Sequence, residues 1–188
     1  MTRYRGVGTV TEVDMGIRSR TYVRRWVGAA RLSGATFEEV EADRGATPQA
    51  ALTVALAGIA LGIGVTGPGG GLELVWVCGA ALVAWAAWSL LTYQIGVGLL
   101  PAGTTHADLG ELLRTTGFAS TPALFSLGAL LPGAQSAVLT LVAVWLLLAM
   151  IVAVRQALDY ASTLRAIAVC AVGWALAIGM VFGVGFFL

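Results

Sequence analysis

The chain has 188 residues, 58% hydrophobic and only 11% charged, whereas soluble domains carry roughly 25% charged residues. It has too little polar surface to shield its apolar side chains from water by folding alone, which excludes an ordinary soluble domain. A net charge of +1 argues against nucleic acid as a partner, and the length allows one domain.

Residues 1–21 read as a flexible cytosolic tail. Neither a signal-peptide core nor a myristoylation glycine is found in 1–48, so the first span is expected to act as its own insertion signal. Residues 22–48 read as a cytosolic, interfacial amphipathic segment. Tyr22, Trp26 and Ala30 recur every four residues and, with Val23 and Val27, give an apolar stripe flanked by Arg24, Arg25 and Arg31, as an interfacial helix requires. Beyond Ser33-Gly34 a second short helix is predicted, with Thr36 as N-cap and Glu39 completing a capping box. Glu38, Glu39, Glu41 and Asp43 are expected to turn toward the cytosol. With Phe37, Trp26 and the three arginines they form the candidate interaction surface. Its basic half would meet anionic lipids of the bilayer, and its acidic half an electropositive membrane or cytosolic protein.

Four stretches without Asp, Glu, Lys or Arg follow or begin this segment's end: 45–72, 74–107, 115–154 and 166–188. A helix rises about 1.5 Å per residue and the hydrocarbon core is about 30 Å thick, so a crossing takes roughly 20 residues. The third stretch is long enough for two crossings and is broken by the turn signal "LPGAQS" at 131–136. An all-α, five-helix membrane bundle is therefore predicted over residues 49–188, with spans at 49–66, 74–99, 116–131, 136–155 and 165–187.

All eleven basic residues are arginine, and eight precede residue 45. With the N-terminus inside, every arginine falls on an inner segment or adjoining span end, while the outer loops 67–73 and 132–135 hold none. The positive-inside rule thus predicts a cytoplasmic N-terminus and an outside C-terminus. The short 116–131 segment reads as a full crossing or a re-entrant hairpin, and the arginine asymmetry favours the crossing.

Before it, residues 107–115 set Asp108, Glu111 and Arg114 against Leu109, Leu112 and Leu113, an inner-surface helix after which Gly117 begins the third crossing. Pro122 within that span, and Gln94 near the inner end of the second, mark either a tolerated kink or a polar site. Ser89, Thr92, Tyr93, Ser120, Thr121 and Ser126 read as interhelical hydrogen-bonding groups or as a polar pathway. Gly58 with Gly62, and Gly179 with Gly183, stand four residues apart and allow close helix approach, within one chain or between copies in a homo-oligomer.

No catalytic set, metal site or cofactor site is predicted. His106 is the sole histidine, so neither a two-histidine metal site nor a convincing Ser-His-Asp arrangement is available. "GVTGPGGG" at 64–71 lacks a Walker-type lysine and reads as an outer turn. Cys78 and Cys170 are placed more than about 10 Å apart along the membrane normal, too far for a disulfide.

Taken in order, "TFEEVEADRG" (36–45), "LLRTTGFASTPALF" (112–125), "VWLLLAMIVAVRQAL" (144–158) and "YASTLRAIAV" (160–169), on five spans, resemble the Yip1 domain family over roughly residues 22–188. In eukaryotes the resemblance implies trafficking proteins of the Golgi and endoplasmic reticulum that associate with Rab-type GTPases; the prokaryotic branch has no settled activity. This chain lacks the Asp-Leu-Tyr-Gly-Pro stretch of the eukaryotic pattern, which leaves GTPase binding open. Absence of lysine and abundance of Ala, Gly and Val suggest a GC-rich prokaryotic genome, hence the cell membrane. The expected function is a non-enzymatic membrane scaffold, organiser or trafficking-like adaptor; the alternative is a small transporter or channel component.

Overall fold

A computed structural model describes residues 10–68, 71–100 and 107–187, with side-chain surroundings over 19–68, 73–100 and 107–175. All its regular elements are helical: α1 (Val10–Ala30), α2 (Gly34–Ala42), α3 (Thr47–Thr66), α4 (Gly71–Tyr93), α5 (Leu109–Ala119), α6 (Gln135–Ala157) and α7 (Thr163–Phe187). A 3-10 turn at Arg44–Ala46 leads into α3, a π-helical turn at Gln94–Leu99 continues α4, and a 3-10 helix at Thr121–Leu130 follows α5. Of the flexible tail expected for 1–21, residues 10–21 are helical, and 1–9 lie outside the described residues.

Among the residues whose surroundings are described, three helices are long and apolar enough to cross a membrane, Arg44–Thr66, Glu73–Leu99 and Gln135–Ala157, and the described part of α7, Thr163–Ala175, is a shorter apolar helix. Their outer surfaces carry Val75, Trp76, Val83, Leu141, Val144 and Leu148, all exposed. Contiguous apolar surface of this kind suits lipid rather than water. These features make the chain an all-helical protein of multi-span membrane type.

Neighbouring long helices alternate in direction. Gly58 and Gly62 of α3 face Ala81 and Val77 of α4 in reverse order, so the two are antiparallel. Ala50 and Gly64 of α3 face Gly117 and Ser126 in the same order, so α5 and the 3-10 helix run parallel to α3. Gly173 lies against Trp88, and Trp174 packs edge-on to the same ring at 5.9 Å. Ile95 shares a cluster with Val169 and Cys170, which sets α7 antiparallel to α4. The starts of α3, α5 and α7 and the ends of α4 and α6 therefore gather at one end, which also holds α2 and most of the arginines.

Pro122 marks a true helix break. α5 ends at Ala119, and the proline sits in the first turn of the next helix, where its missing N–H is not needed. Ser120 and Thr121 Oγ donate to the carbonyls of Gly117 and Phe118, each at 2.6 Å, satisfying groups that the break would orphan. Such 3-10 runs are seldom longer than 3–4 residues, yet this one spans 10. Its sequence explains why: Ala123, Ser126 and Ala129 recur every third residue and are all buried. Three residues per turn stacks them into one straight, small-residue face, which packs on α3 and α6.

The surface helix expected at 107–115 is instead the partly buried start of a buried one. α5 runs unbroken through Gly117 to Ala119, and Leu112 and residues 114–119 are buried. A Cβ on Gly117 would lie 2.7 Å from Ala50 Cβ and 3.2 Å from its backbone, so only glycine permits this crossing of α5 and α3.

Candidate functional site

The candidate interaction segment forms a helical hairpin, α1 and α2, seated on the arginine-rich end of the bundle. Leu32 adopts a positive φ of 59° in the turn, a conformation that favours glycine, while Ser33 N–H closes back on the Gly28 carbonyl at 3.0 Å. Gly28 lets α2 approach: a Cβ there would run into the Thr36 side chain.

Arg25 is the hub. Only 5% exposed, it donates from Nη2 to Asp43 at 2.7 Å, from Nε to Glu39 at 3.1 Å and from Nη1 to Gln49 Oε1 at 2.9 Å. One guanidinium thus joins α1, α2 and α3. The exposed Arg24 reaches Glu39 at 2.8 Å. Hydrogen bonding from Arg25 holds the Asp43 carboxyl below the usual carboxylate range. Asp43 also accepts from Gly45 N–H at 2.9 Å and so caps the 3-10 turn entering α3.

A second hub joins α2 to α5. Arg114, 5% exposed, donates through Nε and Nη2 to the Glu41 carbonyl at 3.0 and 2.6 Å. The Glu41 carboxyl is pushed up to about 7, first by burial, then by the nearby carboxylates of Glu111 and Asp159; Arg114 opposes this and Glu38 adds to it. Gln156 of α6 donates to Glu38 at 2.9 Å.

Several expectations for this segment are corrected. Glu39 and Asp43 are engaged with Arg25, and Glu41 is half-buried, so the acids do not stand free toward the cytosol. Arg25 is inside rather than beside a lipid-facing stripe. Trp26 packs on α3: its Nε1 donates to Thr53 Oγ1 at 2.8 Å, and Tyr22 OH lies 2.9 Å from the same oxygen. Phe37 is fully buried with Ala29 and Val40. The capping box expected at Thr36 and Glu39 does not form, because α2 starts at Gly34 and Glu39 is held by arginine. A complete box instead opens α5, between Asp108 and Glu111. Val23 and Val27 on α1, and Arg31 in the turn that follows it, remain exposed.

Residues that the sequence did not assign to this site complete the seat: Gln49, Thr53, Trp145 and Gln156, together with Arg114, expected on a separate surface helix. Trp145 Nε1 donates to the Ala30 carbonyl at 2.8 Å, closing the end of α1, and its ring stacks on Phe125 at 5.0 Å. The available signal was a polar or charged residue inside an apolar helical run, strongest at Arg114.

Deeper in the bundle, most polar groups bond to one another or to backbone, while Trp88 Nε1 and Thr92 Oγ1 are buried without a hydrogen-bond partner. Ser89 Oγ meets Thr116 Oγ1 at 2.9 Å, and Trp85 Nε1 reaches Thr116 Oγ1 and the Leu113 carbonyl at 3.2 Å each, tying α4 to α5. Gln94 is exposed at the start of the π-helical turn. A cleft of about 280 Å³ between α3, α4 and α7 is lined mainly by apolar residues, including Leu61, Trp88 and Trp174. A Cβ on Gly58 would lie 2.6 Å from Ala81 Cβ, and one on Gly62 3.1 Å from a Val77 methyl. Gly179, Gly183 and His106 lie outside the residues whose surroundings are described. Among the described residues, no group of three His, Cys, Asp or Glu could hold a metal, and Cys78 and Cys170 are free thiols.

No family model, curated protein or solved structure matches the chain.

Proposed function

We propose that this chain is a five-span, non-enzymatic membrane scaffold of Yip1 type in the cell membrane, with its arginine-rich end cytoplasmic. The 3-10 helix continuing α5 would be the third crossing. At about 2 Å rise per residue a 3-10 helix gains more length than an α-helix of equal residue count, which suits a short span.

The observation that carries this reading is the fastened hairpin. A mere tether would not need two buried arginines binding α1 and α2 to α3 and α5; a platform presented to a partner does. Its exposed ridge on α2 is Ala35, Glu38 and Ala42, spaced along one helical face. The polar-pathway alternative has less support, because Ser89 and Thr116 bond to each other across helices, Ser120, Thr121 and Ser126 bond back to carbonyls of their own segment, and the cleft is lined mainly by apolar residues.

The test is a photoreactive residue at Ala35 or Ala42, with buried Ala29 as control, in living cells. The same discrete adduct from both exposed positions and none from the control is expected. No discrete adduct, together with solute flux through the purified protein in liposomes, would replace the scaffold by the transporter.

A further inference from the structure

Helix α1 has an outward side that the bundle does not use. At about 100° per residue, this side presents in order Val23, Val27, Arg20, Arg31 and Arg24. Val23 and Val27 are 55% and 44% exposed, and the three arginines are exposed. The order has a direction. The valine edge adjoins Trp26 and Ala30, which contact Thr53 of α3 and Trp145 of α6, whereas the arginine edge adjoins Arg25, which faces α2. Apolar side chains therefore lie toward the spans and guanidinium groups toward the arginine-rich end.

Depth agrees with this order. Thr53 stands four residues beyond Gln49, where the expected first span 49–66 begins, about 6 Å along the helix, so α1 crosses near the level of a hydrocarbon boundary. Leu52, the residue before it on α3, is 50% exposed.

We propose that this face of α1 is a seat for anionic lipid headgroups of the cytoplasmic leaflet, with the valines among acyl chains and Arg20 and Arg31 on phosphate, Arg24 being held by Glu39. Water alone as neighbour would leave two adjacent valines exposed without gain, and a wholly apolar surround would strand the arginines. The boundary serves both, since long basic side chains reach headgroups while their stems stay in hydrocarbon. Tyr22, Trp26 and Arg25 have no part in the seat, because they hold α1 to the bundle. The proposal rests on the membrane orientation given above, and divides the hairpin: α1 for lipid, the α2 ridge for protein.

The test uses the full chain with Cys78→Ala, Cys170→Ala and Val27→Cys carrying a bimane fluorophore, in nanodiscs containing brominated phosphatidylglycerol or brominated phosphatidylcholine at equal fraction. Quenching by the anionic lipid should exceed that by the zwitterionic one, by roughly fivefold for each arginine fully engaged. Raising salt toward 1 M, where screening reaches about 3 Å, should bring the ratio toward one, and so should R20Q with R31Q. Equal quenching at low salt would overturn the choice of anionic lipid. No quenching by either lipid would overturn the lipid seat altogether. Failure of the scaffold reading would show separately, in the adduct from Ala42, which these changes leave intact.

Discussion

At the arginine-rich end, α2 is fixed to α1, α3, α5 and α6 by guanidinium, carboxylate and amide groups, yet a few turns along the same helices contact passes to Gly, Ala and Ser. Arg25 and Arg114 mark the first region; the pairs Gly58–Ala81 and Gly117–Ala50 mark the second. The difference follows from the surroundings each region meets. Between helices in lipid there is no hydrophobic driving force, so close backbone approach and short interhelical hydrogen bonds must supply the attraction. Near water, charged groups can be paired at lower desolvation cost, and they fix the geometry of a surface hairpin that small residues alone could not specify.

The comparison breaks most severely at the close crossings. Gly117→Leu should destabilise the folded protein by about 3 kcal/mol or more, because the new side chain meets α3 backbone that cannot move aside. Gly79→Leu, on a face with nothing within 4 Å, should be near neutral. Thermal unfolding in detergent micelles checks the pair, and equal melting temperatures would show that α5 and α3 do not cross as described.

A smaller effect separates the polar end by pH. Glu41 has its carboxyl raised to about 7 in the docked hairpin from an ordinary 4.5, so docking favours its protonated form. Its contribution is fully favourable below about pH 4.5 and is lost as pH rises through 7. Asp43, lowered instead, behaves oppositely, but only at more acidic pH, and is constant between 5 and 8. Since Glu41 is only half-buried, the net change is about 1 kcal/mol after allowance for screening. Limited proteolysis of α2 should be slower at pH 5.5 than at 7.5, and Glu41→Gln should remove the difference. Small-residue contacts in the membrane region should not respond to pH.

The apolar runs and their turns were legible in the sequence because length and hydropathy decide them directly. Pro122 was legible only as a kink or polar site within one crossing; that α5 ends outright before it shows in the structure. The 3-10 helix left a trace in small residues at 123, 126 and 129 that a 3.6-residue template overlooks. The facing of α1 was not legible. Both its protein side (Trp26, Ala29) and its outer side (Val23, Val27) are apolar, so periodicity shows a helix but not which stripe meets lipid. Likewise, an arginine beside acids of the next helix cannot be told from one beside phosphate, and only tertiary contact assigns Arg25 to Glu39 and Asp43.

The central claim is that the acidic helix α2 is docked on the bundle rather than loose in the cytosol. The most direct measurement is crosslinking of Glu38→Cys with Gln156→Cys by a short bismaleimide, in membranes, with Cys78 and Cys170 replaced by alanine. Glu38 and Gln156 lie 2.9 Å apart through their side chains, so a rapid intramolecular crosslink is predicted, while Glu38→Cys with Ser136→Cys, at opposite ends of α6, should give none. Equal crosslinking in both pairs, or none in the first, would contradict a docked hairpin.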